Sequence, residues 1–363
     1  MIKHLIVRNF TVFKEARLEF SSGLNVIIGE NGTGKTHLLK LGYLLSNAYS
    51  RLAKEPSFSR ERAENYFSEH IRQIFKPDKV GSLTKSDSDG KSSVEGWCIP
   101  TPDTKTSSPR RYEVDWRFSF SNRSKENISL DGYGIDLKDD NSCGKSIYLQ
   151  AKEMLSFFEG FLPHYENRET SFDETYRDLA LHLSALKLKT PPKFIKQSLN
   201  DLSSDVGGTL QLEGGKFYLV SSGSKRREIT LVAEGIKKLA TLLHLLENGS
   251  LEVGDTLFWD EPESNLNPKL IKDVAAALLF LCQNGIQVII GTHSYFLLKE
   301  FDLLSRSGNI NVPVSYFGLS KSDTEVTIEQ GKTFQALSSI VSLDEELAQY
   351  DREQALYYQK KGD

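Results

Sequence analysis

The chain has 363 residues, 39% of them hydrophobic and 26% charged, a composition that predicts a packed core. Its 45 Lys and Arg against 49 Asp and Glu leave a formal net charge of −4, which gives no global attraction to nucleic acid or to membranes, although a local basic patch stays open. The three cysteines, Cys98, Cys143 and Cys282, lie far apart without C-x-x-C spacing. They read as free thiols in a reducing cytosol rather than a metal or disulfide framework. No run of eighteen apolar residues occurs, and the opening MIKHLIVRNF reads as a strand. A cytoplasmic protein without a spanning helix is therefore expected.

In chain order, the β-rich run at 2–7, the alternation at 16–20 and the apolar run at 24–28 predict three strands, the last ending in a Gly-rich loop. A helix is expected from Lys35, turning Leu38, Leu39 and Leu41 to the core. Residues 50–72 carry charges at helical spacing. Residues 76–109, rich in Ser, Asp, Lys, Gly and Pro, predict a mobile loop. Within it, Asp87-Ser88-Asp89-Gly90 lacks the ligands that would complete a calcium loop. Residues 111–120 alternate, with Tyr112, Val114, Trp116, Phe118 and Phe120 on one face of a half-exposed antiparallel strand. Residues 147–186 return to helical patterns, and the Gly-Gly pair within 210–220 predicts a hairpin.

A helix over 232–247 precedes a buried strand, 256–259, that ends at Asp260. A helix over 268–282 leads to a second buried strand, 286–290, ending at Gly291-Thr292-His293. Strands near 313–318 and 324–329 and a helical tail follow. The alternation at both ends predicts an α/β fold with one discontinuous nucleotide-binding domain, 1–48 and 205–335. An α+β insertion occupies 49–204 and a helical tail 336–363. The insertion has no sustained heptads, so long coiled-coil arms are not expected.

Residues Gly29-Glu30-Asn31-Gly32-Thr33-Gly34-Lys35-Thr36 fit G-x-x-x-x-G-K-[ST] between a predicted strand and a predicted helix. Glycines let the backbone bend around an anion, and the helix N-terminus turns its N–H groups towards phosphates. The pattern predicts Lys35 on the β and γ phosphates of ATP and the Thr36 hydroxyl on Mg²⁺. Further on, the strand TLFW delivers Asp260 and Glu261 to its carboxyl end, where open α/β sheets bind ligands. Asp260 is the expected Mg²⁺ partner and Glu261 the expected general base for the attacking water. An acidic helix start marked by Pro262 and Pro268 is the plainer reading of the same residues.

The order phosphate loop, apolar strand with D-E-P-E, S-N-L-N-P and a strand ending in G-T-H-S resembles ABC-type ATPases. It is most similar to the SMC/RecF-like branch and to short AAA-type ATPases of bacterial defence operons. The resemblance implies a head-type P-loop fold, a mixed sheet with an antiparallel β subdomain, and ATP with Mg²⁺ as cofactors. It implies that Ser264–Pro268 form a D-loop touching a partner's site, and that His293 contacts the γ-phosphate. The segments Ala151–Ser156 and Phe172–Tyr176 are similar to segments recurring in those short ATPases.

The signature helix expected of the family corresponds to Ala233-Glu234-Gly235-Ile236-Lys237-Lys238, where Ala233 replaces the usual Ser. Gly235 at its start can present backbone N–H groups to a phosphate, while Lys237 and Lys238 either compensate for the missing hydroxyl or form a solvated face. Gln150 is a candidate Q-loop glutamine or an ordinary polar residue, and Phe10 in Arg8-Asn9-Phe10 reads as core. Arg110-Arg111 and Lys225-Arg226-Arg227 read as solvated loop charges or phosphate contacts.

Three functions are compatible with these residues. The first is an ATP-hydrolysing switch that dimerises on ATP and controls a separate effector, a nuclease or toxin, in antiphage defence. The second is a RecF-type repair ATPase that binds DNA, and the third a nucleotide-binding scaffold without turnover.

Overall fold

The computed structural model describes residues 1–52, 59–86, 90–99, 114–134, 144–168, 170–190, 206–221, 223, 225–307, 311–322 and 325–359. The strands are β1 (Ile2–Phe10), β2 (Phe13–Glu19), β3 (Leu24–Gly29), β4 (Ser92–Cys98), β5 (Val114–Phe120), β6 (Ser129–Gly134), β7 (Ser146–Leu149), β8 (Thr209–Glu213), β9 (Lys216–Val220), β10 (Arg226–Glu228), β11 (Thr256–Asp260), β12 (Gln287–Thr292), β13 (Val314–Lys321) and β14 (Val326–Gly331). The helices are α1 (Lys35–Leu52), α2 (Arg60–Phe75), α3 (Phe161–Asn167), α4 (Glu174–Leu183), α5 (Glu234–Glu247), α6 (Pro268–Gln283), α7 (Tyr295–Arg306) and α8 (Val341–Gln359).

The central sheet has the order β14-β13-β3-β12-β11-β7. All its pairs are parallel except β13 with β14. Such a sheet must be covered on both faces, which is why β3, β11 and β12 carry the consecutive apolar residues Val26–Ile28, Leu257–Trp259 and Val288–Ile290. Ile27, Phe258 and Ile289 point into the core shared with α1 and the antiparallel sheet. Val26, Leu257, Trp259, Val288 and Ile290 point the other way, into the core under α5, α6 and α7.

The second sheet is antiparallel, in the order β2-β1-β4-β5-β6. Trp116, Phe118 and Phe120 of β5 are buried beneath it. Phe67 of α2 stacks on Phe118 at 5.0 Å and meets Trp116 edge-on at 5.2 Å. The third sheet is β10-β9-β8. Its β8–β9 turn places Gly214 and Gly215 at φ 57° and 80°, the left-handed pair that a two-residue hairpin of this hand requires.

The loop expected over 76–109 is corrected by the structure. A 3-10 turn, Val80–Leu83, and the whole of β4 fall inside it, and β4 is the middle strand between β1 and β5. Its polar composition hid it. The Ser92 hydroxyl donates to the Asn9 carbonyl at 2.6 Å, and Gly96 leaves room for Leu45, whose Cδ1 would lie 2.5 Å from an added Cβ. A serine-rich strand is thus buried once its hydroxyls are satisfied by neighbouring chain. The charged stretch from 50 also divides: α1 ends at Leu52, and α2 starts at Arg60 behind Ser59, whose hydroxyl accepts from the Arg62 N–H. Asp87–Asp89, Tyr112, Arg110-Arg111 and Cys143 lie outside the described residues. Cys98 and Cys282 are buried. Among the described residues no helix is long and apolar enough to cross a membrane.

Candidate functional site

The loop between β3 and α1 carries Gly29–Thr36. Gly34 has φ 90°, and a Cβ there would strike the Phe13 ring at 2.7 Å, so glycine is required on two counts. Thr33 is buried, its hydroxyl donating to the Glu30 carbonyl at 2.8 Å. Lys35 is only 6% exposed. Its ammonium donates to the carbonyls of Gly29 at 2.8 Å and Glu30 at 2.9 Å. Burial lowers its pKa, opposed by the carboxylates of Glu261, Asp260 and Glu263. A buried ammonium held by two carbonyls at a helix start fits a bound polyphosphate.

The parallel register brings the second segment to the first. Thr36 donates through Oγ1 to Asp260 Oδ2 at 2.7 Å, across 224 residues of sequence. Burial raises the Asp260 carboxyl, and the hydrogen bond from Thr36 opposes this. Gly291 at the end of β12 makes room for the pair, because a Cβ there would lie 3.2 Å from Asp260 Oδ1 and 3.5 Å from Lys35 Cβ. Tyr148 of β7 is buried beside them; burial first, then the Asp260 charge, hold its hydroxyl well above the usual tyrosine range and hence protonated.

Glu261 follows at φ 47°. That left-handed conformation costs a non-glycine residue on the order of 1 kcal/mol or more. It is held from both sides: the Glu261 N–H donates to the Gly291 carbonyl at 2.8 Å, and Lys238 Nζ donates to the Glu261 carbonyl at 3.1 Å. His293, with its side chain half exposed, places Nδ1 3.3 Å from Glu261 Oε1. Glu263, missed in the sequence reading although it closes the D-E-P-E run, organises this corner. Its buried Oε1 accepts from the Thr292 hydroxyl at 2.5 Å and from the His293 N–H at 3.3 Å.

Burial decides between the two readings of Lys237 and Lys238. Lys237 and Lys238 are 7% and 3% exposed, so neither belongs to a solvated face. Lys237 Nζ donates to the Ser156 hydroxyl at 2.6 Å and to Glu153 Oε1 at 3.3 Å. Lys238 also donates to the Ser264 hydroxyl. Phe10, by contrast, is fully buried, as read. Gly235 packs against Asn265 and Leu266, with Leu266 Cδ2 2.5 Å from where a Cβ would be. Ala233 occupies the N-cap of α5 with no side-chain hydrogen bond, leaving the first N–H groups of that helix uncapped by it.

The recurring segments acquire a physical account here. Gln150, at the carboxyl end of β7, is 8% exposed. Its Nε2 donates to Thr175 Oγ1 at 2.9 Å, while its Oε1 is buried without a hydrogen-bond partner. An orphaned acceptor beside a carboxylate fits a hydrated cation better than it fits a closed core. Asp173 caps α4 by accepting from the Thr175 N–H at 2.9 Å and also accepts from Lys40 Nζ of α1 at 2.6 Å. Glu174 accepts from or pairs with His70 Nδ1 at 2.6 Å, and Asp178 accepts from Tyr43 at 2.6 Å and Arg51 at 3.0 Å. These buried acids fasten α4 to α1 and α2.

The fold is the SMC-head-like α/β fold of an ABC-type P-loop ATPase. The family described as "AAA domain, putative AbiEii toxin, Type IV TA system" matches residues 57–299, about two thirds of the chain, and the chain belongs to it. It is similar to the DNA replication and repair protein RecF of Leptospira interrogans, 40% identical over 67 residues. That match spans 18% of this chain and 18% of the relative, so the chain spans about a fifth of the length of the RecF proteins it matches. A Helicobacter pylori ATP/GTP phosphatase is 20% identical over 370 residues, covering 90% of this chain and 94% of that protein. Among solved structures, an SMC head bound to the C-terminal winged-helix domain of ScpA matches with a TM-score of 0.53 and 15% identity, covering 92% of this chain and 98% of that one. At that identity the likeness concerns the fold.

Proposed function

We propose that the chain binds ATP with Mg²⁺ between Gly29–Thr36 and the carboxylates of Asp260 and Glu261, and hydrolyses it. The observation that carries this reading is the 2.7 Å bond between Thr36 and Asp260, which joins the two halves of the site. Lys35 and the N–H groups of Gly29, Glu30, Asn31, Gly32, Thr33 and Gly34 hold the phosphates. Thr36 and Asp260, with the Gln150 carbonyl oxygen, hold the cation. A bound Mg²⁺ neutralises charge developing on the phosphate oxygens. Glu261 takes the proton of the attacking water, and His293 steadies the terminal phosphate while Glu263 holds its loop.

The α5 start at Gly235 is left to a second copy, whose phosphate it faces across an ATP-dependent dimer. Two nucleotides bound between heads favour the closed state, and hydrolysis releases it. The division into head (1–48 and 205–335), insertion (49–204) and tail (336–363) follows this scheme. In a cytoplasmic defence system such a switch controls a separate effector, a nuclease or toxin. This part of the reading draws on family likeness.

Glu261→Gln tests the core of it. The variant should keep ATP affinity, lower phosphate release by about 10²-fold or more, and accumulate as a dimer with ATP. Wild-type turnover in that variant removes Glu261 from its role. The local likeness to RecF favours one second reading, direct binding of duplex DNA. Salt-dependent retention of duplex DNA by the purified chain, strengthened by ATP, decides for it.

A further inference from the structure

Among the described residues, the last helix, α8, packs against the core at its start. Ile340 is buried and Leu343 packs against the core. Beyond this first turn, Leu347 and Tyr350 are 56% and 58% exposed. A single helix of this length is marginal in water without a packed face.

Leu343, Leu347, Tyr350 and Tyr357, with the polar Gln354 between the two tyrosines, recur at spacings of four, three, four and three, the seam of a two-stranded helical pairing; Leu356 lies off this seam. Four of the positions flanking that seam are Asp344, Glu346, Asp351 and Glu353, acidic and exposed, and a fifth is the exposed Tyr358. Arg352 points away, on the outer face of the seam's register. Two copies of α8 laid together in either direction would set acid against acid along both flanks, which disfavours self-pairing. The same flanks repel nucleic acid and anionic lipid.

We propose that α8 is a docking helix for a helix of a different protein, one that carries an apolar seam flanked by Lys and Arg. The proposal rests on the reading of a separate effector only for the source of that helix. The chemistry of the surface comes from α8 itself. Docking has a direct route to the nucleotide. An open groove of about 340 Å³ is lined by Glu30, Asn31 and His293 on one side and by Ser339, Ile340 and Val341 at the root of α8 on the other. The root of α8 thus borders the same groove as the phosphate loop.

The test uses the full chain without nucleotide and three labelled synthetic peptides. One has Leu at the seam and Lys or Arg on the flanks, one has the same seam with Glu on the flanks, and one is a scramble of the basic peptide. Fluorescence anisotropy should show saturable binding of the basic peptide, weakening with salt and at least roughly tenfold tighter than either control. The double change Leu347→Asp and Tyr350→Asp should abolish it while leaving fluorescent-ATP affinity unchanged. Glu346→Lys with Glu353→Lys should transfer the preference to the acidic peptide. Equal binding of basic and scrambled peptides, or no binding of the basic one, overturns the proposal. So does a nucleotide-free wild-type dimer in sedimentation that Leu347→Asp dissolves, because a second copy is then the occupant. A loss of ATP affinity in wild type would instead defeat the nucleotide reading and leave the peptide result standing.

Discussion

Lys238 of α5 donates to the main-chain carbonyl of Glu261 at 3.1 Å, so the helix that begins at Gly235 is tied to the turn bearing the carboxylate. The ammonium is buried, and burial lowers its pKa against the pull of Glu263 and Glu234. A cation is kept there at a desolvation cost because it holds a strained residue in place. Whatever a second molecule does to the start of α5 is felt at Glu261.

Lys238→Met should therefore act on turnover and not on binding. The side chain keeps its length and loses its donor. Hydrolysis is expected to fall about tenfold, with nucleotide affinity within about twofold, since a misplaced carboxylate loses the reactive geometry. Phosphate release and fluorescent-ATP titration read the two quantities separately. An equal loss in both would mean that Lys238 merely supports the fold.

Lys35→Ala should remove nucleotide binding. The buried ammonium donates to the phosphate loop's own carbonyls, and its loss takes away a charge-assisted contact worth on the order of 1.5–3 kcal/mol. Titration with fluorescent ATP should show affinity reduced by at least roughly tenfold. Wild-type affinity would defeat the assignment of Gly29–Thr36.

Tyr43→Phe tests the polar seam between α1 and α4. The Tyr43 hydroxyl donates to Asp178 Oδ2, which also accepts from Arg51. Removing one donor from a buried carboxylate should cost about 1–3 kcal/mol, a drop of a few degrees in melting temperature. The effect should largely vanish in an Asp178→Asn background, where the coupling is already broken. Additive losses would show that the two residues act independently.

Asp255 predicts a pH dependence of stability. Its Oδ1 accepts from the Lys145 N–H at 2.6 Å and its Oδ2 from the Glu252 N–H at 2.8 Å. Burial nonetheless pushes its pKa up to about 6, with those hydrogen bonds opposing. The folded carboxyl thus binds its proton more tightly than the unfolded one. Its contribution is complete below about pH 4 and is lost as pH rises through about 6. The loss amounts to roughly 3 kcal/mol for a shift of about two units. Urea unfolding from pH 4 to 7 should show wild type losing stability relative to Asp255→Asn. A constant difference between them over that range would contradict the shift.

Most of the central sheet was legible along the chain because its strands are covered on both faces. The runs at 24–28, 256–259 and 286–290 each carry at least three consecutive apolar residues, and each proved to be a strand of the parallel sheet. The β4 strand was not legible, because Ser92, Ser93 and Gly96 make it resemble a loop. Only its position between β1 and β5 explains why polar residues are buried there. Lys237 and Lys238 looked like a surface pair for the same kind of reason: their partners Glu153, Ser156 and Ser264 lie far away in sequence.

The sequence by itself determined that a glycine-rich loop follows one buried strand and that paired acids end another, because local backbone freedom and strand patterning are written in neighbouring residues. The tertiary structure alone decided that Thr36 meets Asp260, that Glu263 accepts from the His293 N–H, and that α8 exposes an acidic-flanked seam. Those facts depend on strand order and on what covers each helix, and contacts between residues hundreds of positions apart leave no local periodicity to read.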